Sequence, residues 1–256
     1  DGTIPLTQTW QGPTLDKENV SEAAVLAALR ATANKNSAGP DGIPACFLKG
    51  VAVAVAKPLS ILFSRSLSEA VIPSCWKRTI VTPLYKGKGA PKHSVNSFRP
   101  ISKSSSIAKL LEKIVSYSIM QHLLRCDGVS PHQFGFRPQH STVTQLLSCL
   151  DDWTLALSQR QPVYCAYIDY KKAFDSVDHE KLIFALASKG VGPNLLSWIR
   201  AYLSGRTQQV RIGESLSAPA PITSAVLQGS CIGPTAFLIF IASLLRLLSN
   251  MPGIEV

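Results

Sequence analysis

The chain has 256 residues, 46% hydrophobic and 16% charged, which is apolar enough for a real core and excludes a disordered polyelectrolyte. Its formal net charge is +10, from 26 Lys and Arg against 16 Asp and Glu, and points to a polyanionic partner. No stretch reaches the ~18 apolar residues of a membrane span, the first residues carry no leader pattern, and six cysteines without a Cys-x-x-Cys pair fit neither a disulfide framework nor a zinc site.

In chain order, the first 20 or so residues are polar and read as a linker. Ser21 is a good N-cap for a helix over EAAVLAALRA. A turn-rich loop, NKNSAGPDGIP (34–44), follows. Residues 45–70 read as helix, broken near Pro58. WKRTIVTPLYKGKG (76–89) reads as a strand entering a Gly/Lys turn, with FRPISK (98–103) as its partner. Gly87 and Gly89 do not fit G-x-x-x-x-G-K-[ST], so a P-loop is rejected. Apolar residues from Ile107 to Leu123 keep the helical period, as do Val143 to Trp153 behind Ser141. VYCAYID (163–169) reads as a strand. Asp178 caps a helix ending at Gly190, and another runs from Asn194 to Gly205. Residues 208–226 read as a loose hairpin, and a final helix starts at Pro234. Several of the cysteines fall in apolar contexts and are expected to be reduced core residues of an intracellular protein. The five histidines show no ligand spacing.

The positive charge is concentrated. Nine basic residues lie between Lys77 and Lys113 with a single acid, Glu112. Tyr85 and Phe98 are interleaved with them, which favours a phosphate-binding surface over a merely solvated face.

A second feature is Asp169, at the end of an apolar strand pattern. Side chains alternate along a strand, so Cys165, Tyr167 and Asp169 share one face. A carboxylate there is either the cap of the following turn or the ligand of something cationic, since a lone buried charge is costly.

IDYKKAFDSVDH (168–179) resembles the first carboxylate motif of reverse transcriptases of non-LTR, LINE-type (jockey-like) retrotransposons. Four further stretches resemble the same family in the same order: SAGPDGIP (37–44), FRPISKSSSIAKLLEKIV (98–115), FGFRPQHST (134–142) and LQGSCIGPTAFLIF (227–240). The resemblance covers about residues 37–245. It implies an α+β, right-hand polymerase fold with fingers and an incomplete palm, antiparallel palm strands backed by helices, and no thumb. The implied organisation is a linker and helix over 1–35, fingers and N-terminal palm helices over 36–160, and palm over 161–256.

The family joins a deoxynucleoside triphosphate to a DNA primer on an RNA template, and such transfer uses two divalent ions, here Mg²⁺ with hard oxygen ligands. By resemblance, Asp169 holds the ions and the Tyr170 carbonyl helps. Phe174 is the candidate steric gate against a 2′-hydroxyl. Lys86 and Arg99 are candidates for the triphosphate, with Lys88 the alternative to Lys86. Gln228 and Gly229 lie beneath the templating base, and Arg137 contacts the template backbone. No membrane is implied, the element type implies work in the nucleus, and the oligomeric state stays open.

The pattern departs from the family in three places. Leu227 stands for a usual Pro, and Ala242-Ser243 for a usual Asn-Asp. No Asp follows Asp178, so the aromatic-x-Asp-Asp hairpin that partners Asp169 is expected to lie outside this chain, which is expected not to polymerise alone. The competing expectation is a non-catalytic nucleic-acid-binding remnant or domesticated protein. A templated RNA polymerase is disfavoured by the bulk of Phe174.

Overall fold

A computed structural model describes residues 10–251 apart from 17, 19, 88, 90, 171, 172, 225 and 228. The architecture is mixed α and β. Eight helices and a five-stranded sheet are formed by the described residues.

Helix α1 (Glu22–Arg30) begins where Ser21 Oγ accepts the Ala24 N–H at 3.2 Å, satisfying one of the free donors of a first turn. Helices α2 (Ala45–Gly50) and α3 (Ala52–Glu69) follow. The expected break at Pro58 is not there; it falls at Val51, just after Gly50. Pro58 lies inside α3 on an exposed face, where the carbonyl it leaves unbonded is open to water.

Strand β1 (Arg78–Tyr85) pairs antiparallel with β2 (Phe98–Lys103), placing Ile80 opposite Lys103 and Leu84 opposite Arg99. Helix α4 (Ser106–Arg125) is capped by Ser105, and α5 (Thr142–Ser158) by a Ser141–Thr144 capping box. Helices α6 (His179–Ala187) and α7 (Pro193–Leu203) lead to β3 (Arg206–Ile212), β4 (Ser215–Leu216) and β5 (Ala220–Ile222). Helix α8 (Gly233–Ser249) comes last. The order β2-β1-β3-β4 makes the sheet mixed, because β1 and β3 run parallel while β4 and β5 pair antiparallel with β3.

The apolar stripes of α1, α3, α4, α6, α7 and α8 form one core. Phe63, Leu111, Leu182, Trp198 and Ile199 are at or near zero exposure. Each such side chain contributes about 1.5–3 kcal/mol by leaving water. The Trp198 indole N–H is satisfied inside the core by Ser66 Oγ at 3.1 Å. Ser116 and Thr235 hydroxyls, 2.8 Å apart, tie α4 to α8.

Three expectations change. Residues 10–16 are not a loose linker: Leu15 exchanges backbone bonds with Gly190 and Gly192, each 2.8 Å, and Asp16 Oδ1 accepts the Asn194 N–H at 2.8 Å. Asp16 thereby caps α7, whose own N-cap residue, Gly192, has no side chain for the task. The expected strand at 163–169 is not formed. Residues 161–170 are irregular and exposed, because no neighbouring segment among the described residues offers a hydrogen-bonding ladder. The cysteines are all free and none is fully buried, Cys75 and Cys165 being exposed, so they are not core residues.

Helix α5 is unusual. It has no buried residue, and Val143, Leu146, Leu147 and Leu150 are more than half exposed. No helix of the described residues is long and apolar enough to cross a membrane.

Candidate active site

Asp169 and Tyr170 stand on the exposed 161–170 segment. The Asp169 carboxylate makes no hydrogen bond or ion pair with a described residue. Together with a neighbouring carbonyl it is a partial ligand set for a hard cation. Among the described residues no group of three His, Cys, Asp or Glu gathers as a metal site, so these residues alone do not make a two-ion centre.

The best-defined part of the site is aromatic. The half-buried Phe174 stacks on Phe237 of α8, with ring centroids 4.8 Å apart and planes 28° apart. Phe136, from the loop before α5, meets it edge-on at 6.3 Å and 84°. Offset-stacked and edge-to-face rings are the favoured geometries for such pairs. The backbone is pinned as well: Phe174 O accepts the Val226 N–H at 3.0 Å, and Asp175 O accepts Ser224 Oγ at 3.5 Å. Three segments distant in sequence therefore converge at Phe174.

Beyond Val226 the chain enters the Leu227–Gly233 turn. Gly229 has φ +105, and a Cβ there would lie 2.9 Å from the Ser102 carbonyl of β2, so only glycine lets the backbone come this close. Ser230 Oγ accepts the Gly233 N–H at 3.0 Å, and the Cys231 N–H donates to Glu112 Oε2 at 2.8 Å. Glu112 is 1% exposed. The buried Tyr202 phenol is pushed well up by desolvation, and the Glu112 carboxylate adds to the shift. Burial, then the same carboxylate, pushes the Cys231 thiol up to about 11.

On the sheet, Arg99 is exposed and points to the same face as Leu84. Lys86 Nζ donates to Asn96 O at 2.7 Å, so this ammonium already holds the turn between β1 and β2. The Tyr85 and Phe98 rings meet at 5.6 Å, with Lys92 Nζ 5.7 Å from the Tyr85 centroid. Arg137 turns back on its own loop, Nη1 donating to Ser130 O at 2.9 Å and Pro131 O at 3.3 Å. Lys88 and Gln228 lie outside the described residues.

Thus Phe174 and Gly229 sit in segments tied to one another through Val226, while Lys86 directly follows β1 and Arg99 lies on β2 opposite Leu84. Two residues of this region escaped sequence reasoning. Glu112 holds the turn after Gly229. Arg206 is buried, donates to the Tyr202 and Trp76 carbonyls at 3.0 and 3.1 Å, and lies 4.7 Å from the Tyr202 ring centroid. Glu112 had a signal: it is the one acid of the basic run, and it stands four residues from both Ala108 and Ser116 on a largely apolar helix.

Comparison with known proteins gives the same family as the motifs. Residues 90–256 match the model described as reverse transcriptase (RNA-dependent DNA polymerase). The chain is 30% identical over 220 residues to the probable RNA-directed DNA polymerase from transposon BS of Drosophila melanogaster, covering 86% of this chain and 24% of that protein. It is 31% identical over 186 residues to the RNA-directed DNA polymerase from mobile element jockey of the same fly, covering 71% and 20%. Against the retrovirus-related Pol polyprotein from type-1 retrotransposable element R1 of Bradysia coprophila it is 26% identical over 238 residues, covering 91% and 22%. The chain spans about a fifth to a quarter of the length of these relatives. With the motifs in order and the family model covering well over half of it, the chain belongs to the reverse transcriptase family and carries a domain of the non-LTR retrotransposon kind.

Proposed function

We propose that this chain handles the nucleotide and template in an RNA-directed DNA polymerase that extends a DNA primer on an RNA template. The observation that carries the reading is the convergence on Phe174 of segments holding Phe136, Val226 and Phe237. A ring fixed by two aromatic neighbours is rigid enough to exclude a 2′-hydroxyl by contact, which a mobile side chain is not. In this reading residues 36–160 form fingers and 161–256 palm. Asp169 and the Tyr170 carbonyl supply part of a Mg²⁺ ligand set. Arg99, with Lys86 or Lys88, meets the triphosphate, whose oxygens suit a guanidinium fork. Gln228 and Gly229 underlie the templating base. Arg137 reaches the template with the guanidinium donors that its loop does not use. The work is nuclear, on chromosomal DNA.

The test is primer extension on poly(rA)/oligo(dT) by a polypeptide of the relatives' length that carries this domain. Asp169→Asn is expected to abolish extension, and Phe174→Val to raise ribonucleotide uptake by at least tenfold. Full activity of the Asp169 variant sinks the reading. Unchanged sugar selectivity in the Phe174 variant rules out the gate.

A second reading is non-catalytic nucleic-acid binding. It is favoured by one observation, that no group of three His, Cys, Asp or Glu gathers as a metal site among the described residues. Loss of all extension with retained RNA binding in the same full-length polypeptide selects it.

A further inference from the structure

The segment between β5 and α8 is held from three sides. The Val226 N–H donates to Phe174 O at 3.0 Å. Gly229 lies so close to β2 that a Cβ would stand 2.9 Å from the Ser102 carbonyl. Two residues on, the Cys231 N–H donates to Glu112 Oε2 at 2.8 Å. The turn also closes on itself: Ser230 Oγ donates to Leu227 O at 2.9 Å and accepts the Gly233 N–H at 3.0 Å. Of the three outside partners, only Glu112 acts through its side chain.

The surroundings of Glu112 fix its aim. It is 1% exposed, on the face of α4 that also buries Ala108, Leu111 and Val115. Trp76, Trp198, Tyr202 and Arg206 line the same small void as its side chain. A carboxylate is costly in such a place without partners, and an N–H bonded to a charged acceptor is held more firmly than one bonded to a neutral acceptor. The helix that carries it continues directly from β2. Only Ser104 and Ser105 separate Lys103 from α4; both are buried, and Ser105 Oγ accepts the Ala108 N–H at 3.2 Å. Arg99 and Glu112 therefore belong to one continuous strand–helix unit, and the turn is tied to that unit at Ser102 and at Glu112.

We propose that Glu112 is a positioning residue for nucleotide selection. It holds the turn carrying Gly229 at a fixed distance from β2, so that a template base over Gly229 and a nucleotide whose phosphates meet Arg99 come together in register. The inference rests on the polymerase reading above and adds to it the residue that couples the two sides of the nucleotide site. Glu112 is too deeply buried to touch template or nucleotide; it acts through the Cys231 N–H. Losing this anchor weakens binding of the correct nucleotide and leaves the chemistry at Asp169 alone, so KM rises while kcat holds. A merely destabilised domain does the opposite: fewer folded molecules lower kcat, and those that remain keep their KM.

The experiment is steady-state extension of oligo(dT) on poly(rA) by a polypeptide of the relatives' length that carries this domain, with dTTP or the mismatched dCTP varied. Glu112→Ala is expected to raise KM for dTTP about tenfold, as the loss of one charge-assisted hydrogen bond, with kcat within about threefold. Its preference for dTTP over dCTP should narrow. Glu112→Gln keeps an acceptor for the N–H and is expected to stay within about threefold of the parent in KM. Glu112→Asp draws the carboxylate back by one methylene without removing its charge; its KM should fall between the two, and it stands in if the Ala variant does not fold. Unchanged KM in the Ala and Asp variants, or a fall in kcat at constant KM, overturns the proposal. A parent that extends no primer sinks the polymerase reading instead, and the proposal with it. Hydrogen exchange of the 256-residue chain reads the anchor without activity. In Glu112→Ala the 229–233 segment is expected to speed up about tenfold beyond the α7 core segment, and equal acceleration of the two overturns the proposal.

Discussion

Glu112 on α4 and Cys231 in the turn before α8 are joined by a 2.8 Å hydrogen bond from backbone N–H to carboxylate. The bond fixes the turn that follows Gly229 to the helix that follows β2. Its other oxygen, Oε1, and Arg206 Nε are buried without a hydrogen-bond partner among the described residues. A void of about 10 Å³ touches Glu112, Tyr202 and Arg206 and is otherwise lined by Ile72, Trp76, Ala108, Leu111 and Trp198. Glu112→Ala strands the Cys231 N–H and leaves the void larger. The expected loss is about 2–4 kcal/mol in urea unfolding. Glu112→Gln keeps an acceptor for the N–H and should lose about 1 kcal/mol. Equal stability of the Ala variant and the parent would show that the turn is not held there.

The same carboxylate governs a thiol. Cys231 is raised to about 11 by burial first and by Glu112 second. At pH 8.5 its thiolate fraction is then about a hundredfold below that of free cysteine, and alkylation should be slower by that factor. The rate should climb about tenfold per pH unit until about 11. Glu112→Gln removes the second cause and should speed the reaction. Peptide mass spectrometry after timed iodoacetamide exposure reads this directly, with the exposed Cys75 and Cys165 as internal references. Reaction of Cys231 as fast as these two would contradict the assignment.

How much of this was legible in the sequence depends on the range of each interaction. Caps are local, so Ser21, Ser141 and Asp178 announced their helices correctly. The β1–β2 pair was legible because 12 residues separate Tyr85 from Phe98 and both strands carry β-formers. The parallel pairing of Arg78 with Thr207 was not, since nothing local in either strand names a partner over a hundred residues away. The same limit explains the 163–169 segment: alternation was read correctly as strand-like, but a strand exists only with a ladder, and none is supplied among the described residues. At the site, resemblance to the family singles out Phe174, but its contacts with Phe136 and Phe237 join distant segments and have no local signal. Glu112 and Arg206 were not legible, because burial of a charge is decided by tertiary contacts. Arg137 was read as free for a template, yet part of its guanidinium serves its own loop.

The packing of the 37–44 loop on β2 can be probed by two glycines three residues apart, Gly39 and Gly42. Gly39→Ala forces a Cβ into the Ser104 carbonyl, and backbone on both sides must move. Gly42→Ala meets nothing within 4 Å but keeps φ +71, a left-handed conformation costing about 1–2 kcal/mol for a residue with a Cβ. Gly39→Ala should therefore be the more destabilising, by about 1 kcal/mol or more beyond Gly42→Ala. The reverse order in thermal melts would mean that the loop does not press on β2.

Helix α5 makes the last prediction. Its apolar stripe, Val143, Leu146, Leu147 and Leu150, follows the helical period and would normally face a core, yet these side chains are 63%, 61%, 60% and 54% exposed. An apolar patch of this kind drives association between copies unless something covers it. Leu146→Glu/Leu150→Glu removes nothing from the core, so the melting free energy should change by no more than about 0.5 kcal/mol. Self-association at tens of micromolar, followed by sedimentation velocity, should fall. A loss of more than about 2 kcal/mol would instead show that these leucines are buried in the isolated chain, and a monodisperse parent would show that the stripe is not adhesive.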